Sequence, residues 1–440
     1  MDLSDKRVAV LGCGTSGFCA ARLAASRGAQ VTTFDSGPTG KLGKAIDRFA
    51  EAGLALVTGP DALKPEGYFD YTVISPGIDA SWDLAKAHAA VSDELIGEIE
   101  LAWRLSDIPV IAITGTNGKT TTTELTTHLL NSCGKKAIAA GNYGYAYSDV
   151  VYFGEAFDWV VLEVSSFQLE TIKDFHPEIS MWMNFASDHM DRYEKLEDYK
   201  EAKLRIFENQ SALDVAIIKF EETLEVIPRT VSFSAFSEES DYRYHDRQII
   251  DPSGNAILDF STTRLNGKHN AENVMAALAA VTEAGLNVNS ELIAAICRYS
   301  PPSHRCEIVG EIDGVLFVND SKSTNLHSLK SALCGQDSAV TLIVGGKNKG
   351  LDFSELNDII PETVSAAICL GEIGAQIADC WKELIPCHVV DSLKNAVETA
   401  YQQRGETEVI LFSPGTSSFD MFSGYEQRGD CFRKEVANLY

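Results

Sequence analysis

The 440-residue chain carries 37 Lys and Arg against 63 Asp and Glu, a formal charge of −26, and 45% hydrophobic residues. That length exceeds one hydrophobic core, so two or three domains are expected, and the acidic balance excludes a general nucleic-acid or anionic-membrane surface. Ten scattered cysteines without a C-x-x-C pair, a start "MDLSDKRVAVLG" without a basic n-region, and no uninterrupted apolar run of about 18 residues predict a soluble, cytoplasmic chain with no membrane span.

The first elements come early. "RVAVLG" (Arg7–Gly12) has the make-up of a buried parallel strand. A helical pattern "TSGFCAARLAASRGA" follows, then a strand "QVTTFD" ending at Asp35, and a strand "YTVISPGI". This order predicts a Rossmann-like unit over residues 1–97. Its turn, Gly12-x-Gly14-x-x-Gly17, permits close backbone approach, and the helix N-terminus behind it attracts a pyrophosphate. Taken alone, the turn fits a dinucleotide, another phosphorylated nucleotide or a merely structural bend.

A second segment, residues 98–300, opens with "PVIAITG". Its "AITGTNGKTTTTEL" runs from Ala112 to Leu125 between a strand and a helix. The Walker A pattern asks for glycine five positions before Gly118, where Ile113 stands. The rest of the loop still suits ATP. Backbone N–H groups of Gly115, Thr116, Asn117, Gly118 and Thr121 can wrap phosphates, Lys119 can reach the outer ones, and the Thr120 hydroxyl can ligate Mg²⁺. The strand "DWVVLEVS" ends near Glu163. His189, beside Asp188, Asp191 and Arg192, suits either a second Mg²⁺ site with Glu163 or a helix cap. Lys203, in the helical pattern "LEDYKEAKLRIFEN", reads by itself as one charge on a solvated face with Lys195 and Lys200.

The third segment, residues 301–440, begins at the breaker "SPPSHR". Strands "GVLFVNDS", "SAVTLIVGG", "SAAICLG" and "EVILFSPG" alternate with helical patterns, again a doubly wound α/β layout. The acidic stretch "FSEESD" reads as a loop.

Seven motifs, "TGTNGKTT", "EVSSFQLE", "DHMDRY", "AKLRIF", "GKHNAEN", "HRCE" and "NDSKSTN", stand in the order and spacing of the Mur ligase family, which the chain resembles over essentially its whole length. The family's loop also lacks the first Walker glycine, which accounts for Ile113. The tail "SPGTSSFDMFSGYEQRGD" is similar to that of the D-glutamate-adding branch. The resemblance implies three α/β domains, Rossmann-like, P-loop-type and Rossmann-like. It implies ATP-dependent addition of D-glutamate to UDP-N-acetylmuramoyl-L-alanine by a monomer with no nucleic-acid partner. The first turn would then hold the UDP end, through Gly14, Thr15, Ser16, Asp35, Ser36, Ser75, Pro76 and Gly77, with Asn142 also near the transferring phosphate. ATP would meet Asn270, Asn273, Arg305, Asp320 and Lys322 besides the loop. Two Mg²⁺ ions would use Thr120, Glu163, His189 and Lys203, the last as a CO₂-derived carbamate. Lys322, Thr324, Lys349, Ser418 and Tyr425 would take D-glutamate, and Lys347 is left without a role. The catalytic set implied is Lys119, Asn142, Glu163, His189 and Lys203. The competing readings are another amide ligase, adding a different amino acid or adding glutamate to folate, and a nucleotide-binding regulator or dehydrogenase built on the first turn.

Overall fold

The computed structural model describes all residues except Asp191, Pro301, Pro302, Asp337 and Tyr440. The two prolines of the expected linker and the aspartate near His189 therefore lie outside the described residues. Two compact units emerge, Met1–Phe185 with His189–Ser232 and Ala276–Leu292, and Ala186–Asp188 with Phe233–Met275 and Ile293–Tyr440.

In the first unit, β1 (Arg7–Leu11), β2 (Gln30–Asp35), β3 (Ala55–Thr58), β4 (Phe69–Ile74) and β5 (Ser92–Gly97) make a parallel sheet ordered β3-β2-β1-β4-β5. Val8, Ala9, Val10 and Leu11 are fully buried, as a strand covered on both faces must be. Strand order reverses between β1 and β4. Their carboxyl ends diverge there into the turns beginning at Gly12 and Ser75, the crevice where open α/β sheets bind ligands. Strand β3, short and half-exposed, carries too weak a pattern to be read from the sequence.

The same unit holds β6 (Val110–Thr114), β7 (Ala137–Gly141), β8 (Trp159–Glu163), β9 (Ile179–Trp182), β10 (Val215–Lys219) and most of β11 (Arg229–Ser234), ordered β7-β8-β6-β9-β10-β11. Central β6 is buried throughout, and its loop emerges between the ends of β8 and β9. The two sheets share a core: Leu23 of the helix Thr15–Ser26 packs in one cluster with Ile99, Tyr147 and Val150. An Arg22–Asp149 ion pair at 2.6 Å and a Ser148 N–H donating to buried Glu98 at 2.6 Å fasten the same seam. The two glycine turns thus lie in the same compact unit.

The second unit contains β12 (Tyr242–His245), β13 (Gln248–Ile250) and β14 (Ala256–Asp259), an antiparallel meander. It also contains a six-stranded sheet of β15 (Glu307–Ile312), β16 (Val315–Asn319), β17 (Val340–Gly345), β18 (Val364–Leu370), β19 (Cys387–Val389) and β20 (Val409–Phe412). Its order is β15-β16-β20-β17-β18-β19, parallel except for β15 at the edge. Among the described residues no helix is long and apolar enough to cross a membrane.

Candidate active site

The loop after β6 has the backbone shape of an anion cradle. Gly118 caps the helix Lys119–Ser132 with φ of +82°, a left-handed conformation that suits glycine and lets the chain turn straight into the helix. The helix follows at once, so its free N–H groups and positive dipole end face the loop. Lys119 folds back, its Nζ donating to the carbonyls of Gly115 and Thr116 at 2.9 Å each. Asn184, just beyond β9, braces the loop from the other side. It accepts from the N–H groups of Thr116 at 3.0 Å and Asn117 at 2.9 Å and donates to the Asn117 carbonyl at 3.1 Å. Thr120 and Thr121 are buried at the start of the helix.

Glu163 sits at the end of β8 and joins two sites. One carboxylate oxygen accepts from the Thr120 hydroxyl at 2.7 Å, and the other accepts from the Asn142 amide at 2.7 Å. Asn142 in turn lines a cavity of about 600 Å³ at the β1/β4 switch point. The walls of that cavity include Gly14, Thr15, Ser16, Asp35, Ser36, Ser75, Pro76 and Gly77, so the structure gathers the whole expected nucleotide-sugar set in one place. Gly17 allows its tight turn, since a Cβ there would come within 1.9 Å of the Gly12 carbonyl oxygen. Burial pushes Asp35 up, but hydrogen bonds from Cys13 and Gly37 outweigh it and hold the carboxyl below its usual range. Arg192 is not part of the lining but holds one of its residues, Pro76. It bonds Glu170, donates to the Pro76 carbonyl at 3.3 Å and lies 3.6 Å from Asp79.

Lys203 is not on a solvated face. It is 2% exposed, with Nζ donating to the Gly115 carbonyl at 2.8 Å and lying 4.8 Å from the Tyr199 ring centroid. His189 packs against the same tyrosine, ring centroids 5.8 Å apart, and against Phe167 at 5.0 Å. Its φ of +57° is uncommon for a residue other than glycine and collects at functional sites. Tyr199, on the helix Leu196–Leu204, thus meets both Lys203 and His189. For Mg²⁺, the Thr120 hydroxyl and Glu163 carboxylate supply the hard oxygen donors that ion selects, and they already meet at the loop.

In the second unit the remaining residues fall on the carboxyl edges of three neighbouring strands. Asp320, Lys322 and Thr324 follow β16, Ser418 follows β20, and Lys347 and Lys349 follow β17, both lysines being exposed. Lys322 Nζ lies 3.8 Å from the centroid of the Tyr425 ring. Arg428 ties these loops from beneath. Only 2% exposed, it donates to the Ser321 hydroxyl and carbonyl at 3.0 and 2.7 Å and to the Thr416 carbonyl at 3.0 Å. Burial lowers its pKa to about 10. Asn270 and Asn273 are buried near the start of the helix Lys268–Glu283, joined at 3.1 Å. Arg305 lies between His304 and Cys306, both with positive φ.

Asp320 is a buried carboxyl that accepts from Ser413 at 2.8 Å and from the Cys306 N–H at 3.3 Å. Burial pushes its pKa up to about 6, although these hydrogen bonds and the Arg305 charge pull the other way. Between about pH 4 and pH 6 the folded protein keeps a proton that the unfolded chain has released. Stability from this group therefore falls as pH rises through that window and stays low above it. Measured by denaturant unfolding, wild type should lose about 3 kcal/mol relative to Asp320→Asn between about pH 4 and pH 7. A difference constant with pH would mean Asp320 is ionised throughout.

Comparison with known proteins agrees with this architecture. The Mur ligase middle domain matches residues 113–281, and the Mur ligase, glutamate ligase domain matches residues 304–415. A UDP-N-acetylmuramoylalanine–D-glutamate ligase of Geotalea uraniireducens is 37% identical, covering 100% of this chain and 99% of the relative. The protein of that name from Caldanaerobacter subterraneus is 32% identical over 100% of both chains. Among solved structures, the UDP-N-acetylmuramate-alanine ligase of Thermotoga maritima superposes with a TM-score of 0.60 at 17% identity, covering 99% of this chain and 100% of that one. The MurF ligase of the same organism, solved with ADP, gives 0.58 at 16% identity, covering 86% of this chain and 97% of that one. These neighbours share the three-domain α/β fold, and the relatives match from end to end: the chain belongs to the Mur ligase family.

Proposed function

We propose that the chain is an ATP-dependent ligase that adds D-glutamate to UDP-N-acetylmuramoyl-L-alanine, releasing ADP and phosphate, in cytoplasmic synthesis of peptidoglycan precursors for the cell wall. The bridge from Asn142 through Glu163 to Thr120 carries this reading. It places a cavity suited to a nucleotide-linked substrate two hydrogen bonds from a phosphate loop. Residues 1–97 take the UDP end, 98–300 take ATP, and 301–440 take the amino acid.

A carboxylate is a poor electrophile. Its oxygen attacks the terminal phosphorus of ATP, ADP leaves, and the acyl phosphate so formed is attacked at carbon by the amine of D-glutamate. Phosphate then departs as the amide forms. The chain's part is alignment and charge compensation rather than covalent chemistry. Lys119 faces the outer phosphates, loop N–H groups fix the inner ones, and Asn142 steadies the carboxylate against the transferred group. Thr120, Glu163, His189 and Lys203 would hold Mg²⁺, which neutralises phosphate charge when bound. A buried ammonium is costly unless compensated. Carbamylation of Lys203 would exchange that cation for an anion able to face metal. The test is ADP release with the UDP-linked substrate and a panel of D- and L-amino acids: D-glutamate alone should support turnover, and equal rates with other amino acids would defeat the reading.

Lys349, Thr324 and Ser418 are assigned to the side-chain carboxylate of D-glutamate, bordered by Lys322 and Tyr425. Lys349 is exposed in the segment after β17. A charge-assisted contact contributes roughly 1.5–3 kcal/mol, so Lys349→Ala should raise KM for D-glutamate by about ten- to over a hundredfold. KM for ATP should barely move. The reverse pattern in steady-state kinetics would assign this lysine to the nucleotide.

A further inference from the structure

Arg48 belongs to none of the residue sets expected from the sequence. It projects from the helix Gly43–Glu51, its guanidinium 4.3 Å from the centroid of the Phe18 ring. Its Nη2 donates to two successive carbonyls, those of Cys13 and Gly14, at 3.0 Å each. Across a trans peptide the carbonyl and the following N–H point in opposite directions. A grip on these two oxygens therefore turns the N–H groups of Gly14 and Thr15 the other way. Gly14, Thr15 and Ser16 line the cavity, and among the described residues none accepts a hydrogen bond from their backbone N–H groups. The outer side of the turn is fixed as well, since the Cys13 N–H goes to Asp35 at 3.0 Å.

Charge sharpens the point. Among the described residues no lysine or arginine lines the cavity, and Asp35, the one charged wall residue among them, is an acid. In a chain of net charge −26, a diphosphate meets a repulsive field unless a cation stands close behind the turn. We infer that Arg48 is a positioning residue for the substrate diphosphate: it holds the Gly14 and Thr15 N–H groups toward the cavity and sets a compensating positive charge behind them. The inference rests on the reading that this cavity takes the UDP end.

UDP and uridine, compared as inhibitors competing with the UDP-linked substrate for ADP release, separate the alternatives. In wild type, UDP should inhibit at lower concentration, and the ratio of the two constants reports what the diphosphate contributes. Arg48→Gln should shrink that ratio by about tenfold, with uridine's own constant and KM for ATP within about twofold of wild type. Arg48→Lys, which keeps the charge but not the planar fork, should shrink it by about threefold, and this variant carries the test if the glutamine variant fails to fold. Equal weakening of both inhibitors would mean that Arg48 only shapes the turn, and an unchanged ratio that it does nothing for the diphosphate. Either result overturns the inference. Failure of UDP to inhibit wild type would overturn the reading of the cavity instead.

Discussion

Lys119→Ala is expected to abolish ADP formation while leaving affinity for the UDP-linked substrate nearly intact. Lys119 opens the helix after the phosphate loop, and its Nζ is parked on the Gly115 and Thr116 carbonyls. Those oxygens hold the ammonium over the cradle, where charge moves onto the leaving phosphate during transfer. Losing one such preorganised donor typically costs on the order of a hundred- to a thousandfold in turnover. The fold should survive, because Asn184 braces the same loop independently through Thr116 and Asn117. No residue of the loop lines the switch-point cavity, and the bridge between the two sites runs through Thr120 rather than Lys119, so binding of the UDP-linked substrate, followed by calorimetry, should stay within about threefold of wild type. Comparable weakening of both would show that the two nucleotides are not separately housed.

The parts of this site that are legible in the sequence are those whose signal is local. Gly12, Gly14 and Gly17 announce a strand–turn–helix because each glycine answers a constraint within a few residues of itself. The loop from Gly115 to Thr120 is equally readable between its apolar strand and its helix. The residues that were missed act across long separations. Asn184 grips Asn117 from 67 residues away, and Arg428 grips Ser321 from 107 away. Only a folded sheet tells which neighbour each will meet. A clue for Asn184 existed, since it directly follows the apolar run that becomes β9, at the edge where α/β ligands collect. Arg428 gave none: in "GYEQRGD" it looks like any helix-surface charge, and its burial is set by the packing of the helix Tyr425–Ala437 beneath three strand ends. Lys203 marks the same limit from the other side. Its pattern reads as a solvated charge, yet the helix Leu196–Leu204 turns it into the protein, against Gly115.

That burial makes Lys203→Ala the second large effect. The substitution removes a side chain that is 2% exposed and leaves the Gly115 carbonyl without the donor that held it at 2.8 Å. Two accounts of its role predict different chemistry. If the ammonium is the working form, a cation anchors the loop, and Lys203→Arg should keep part of the activity, because a guanidinium also donates to a carbonyl. If the carbamate is the working form, the chain needs an anion beside Thr120 and Glu163, and arginine cannot supply one. On the carbamate account Lys203→Ala should lose activity on the order of a thousandfold. Added formate or acetate should restore part of it by placing a carboxylate in the vacated space, while Lys203→Arg should be inactive and indifferent to either anion. ADP release with and without the carboxylates, alongside thermal melting to confirm folding, reads out every arm. Near-wild-type activity in the alanine variant would exclude both accounts, whereas activity in the arginine variant without rescue of the alanine one would establish the ammonium and exclude the carbamate.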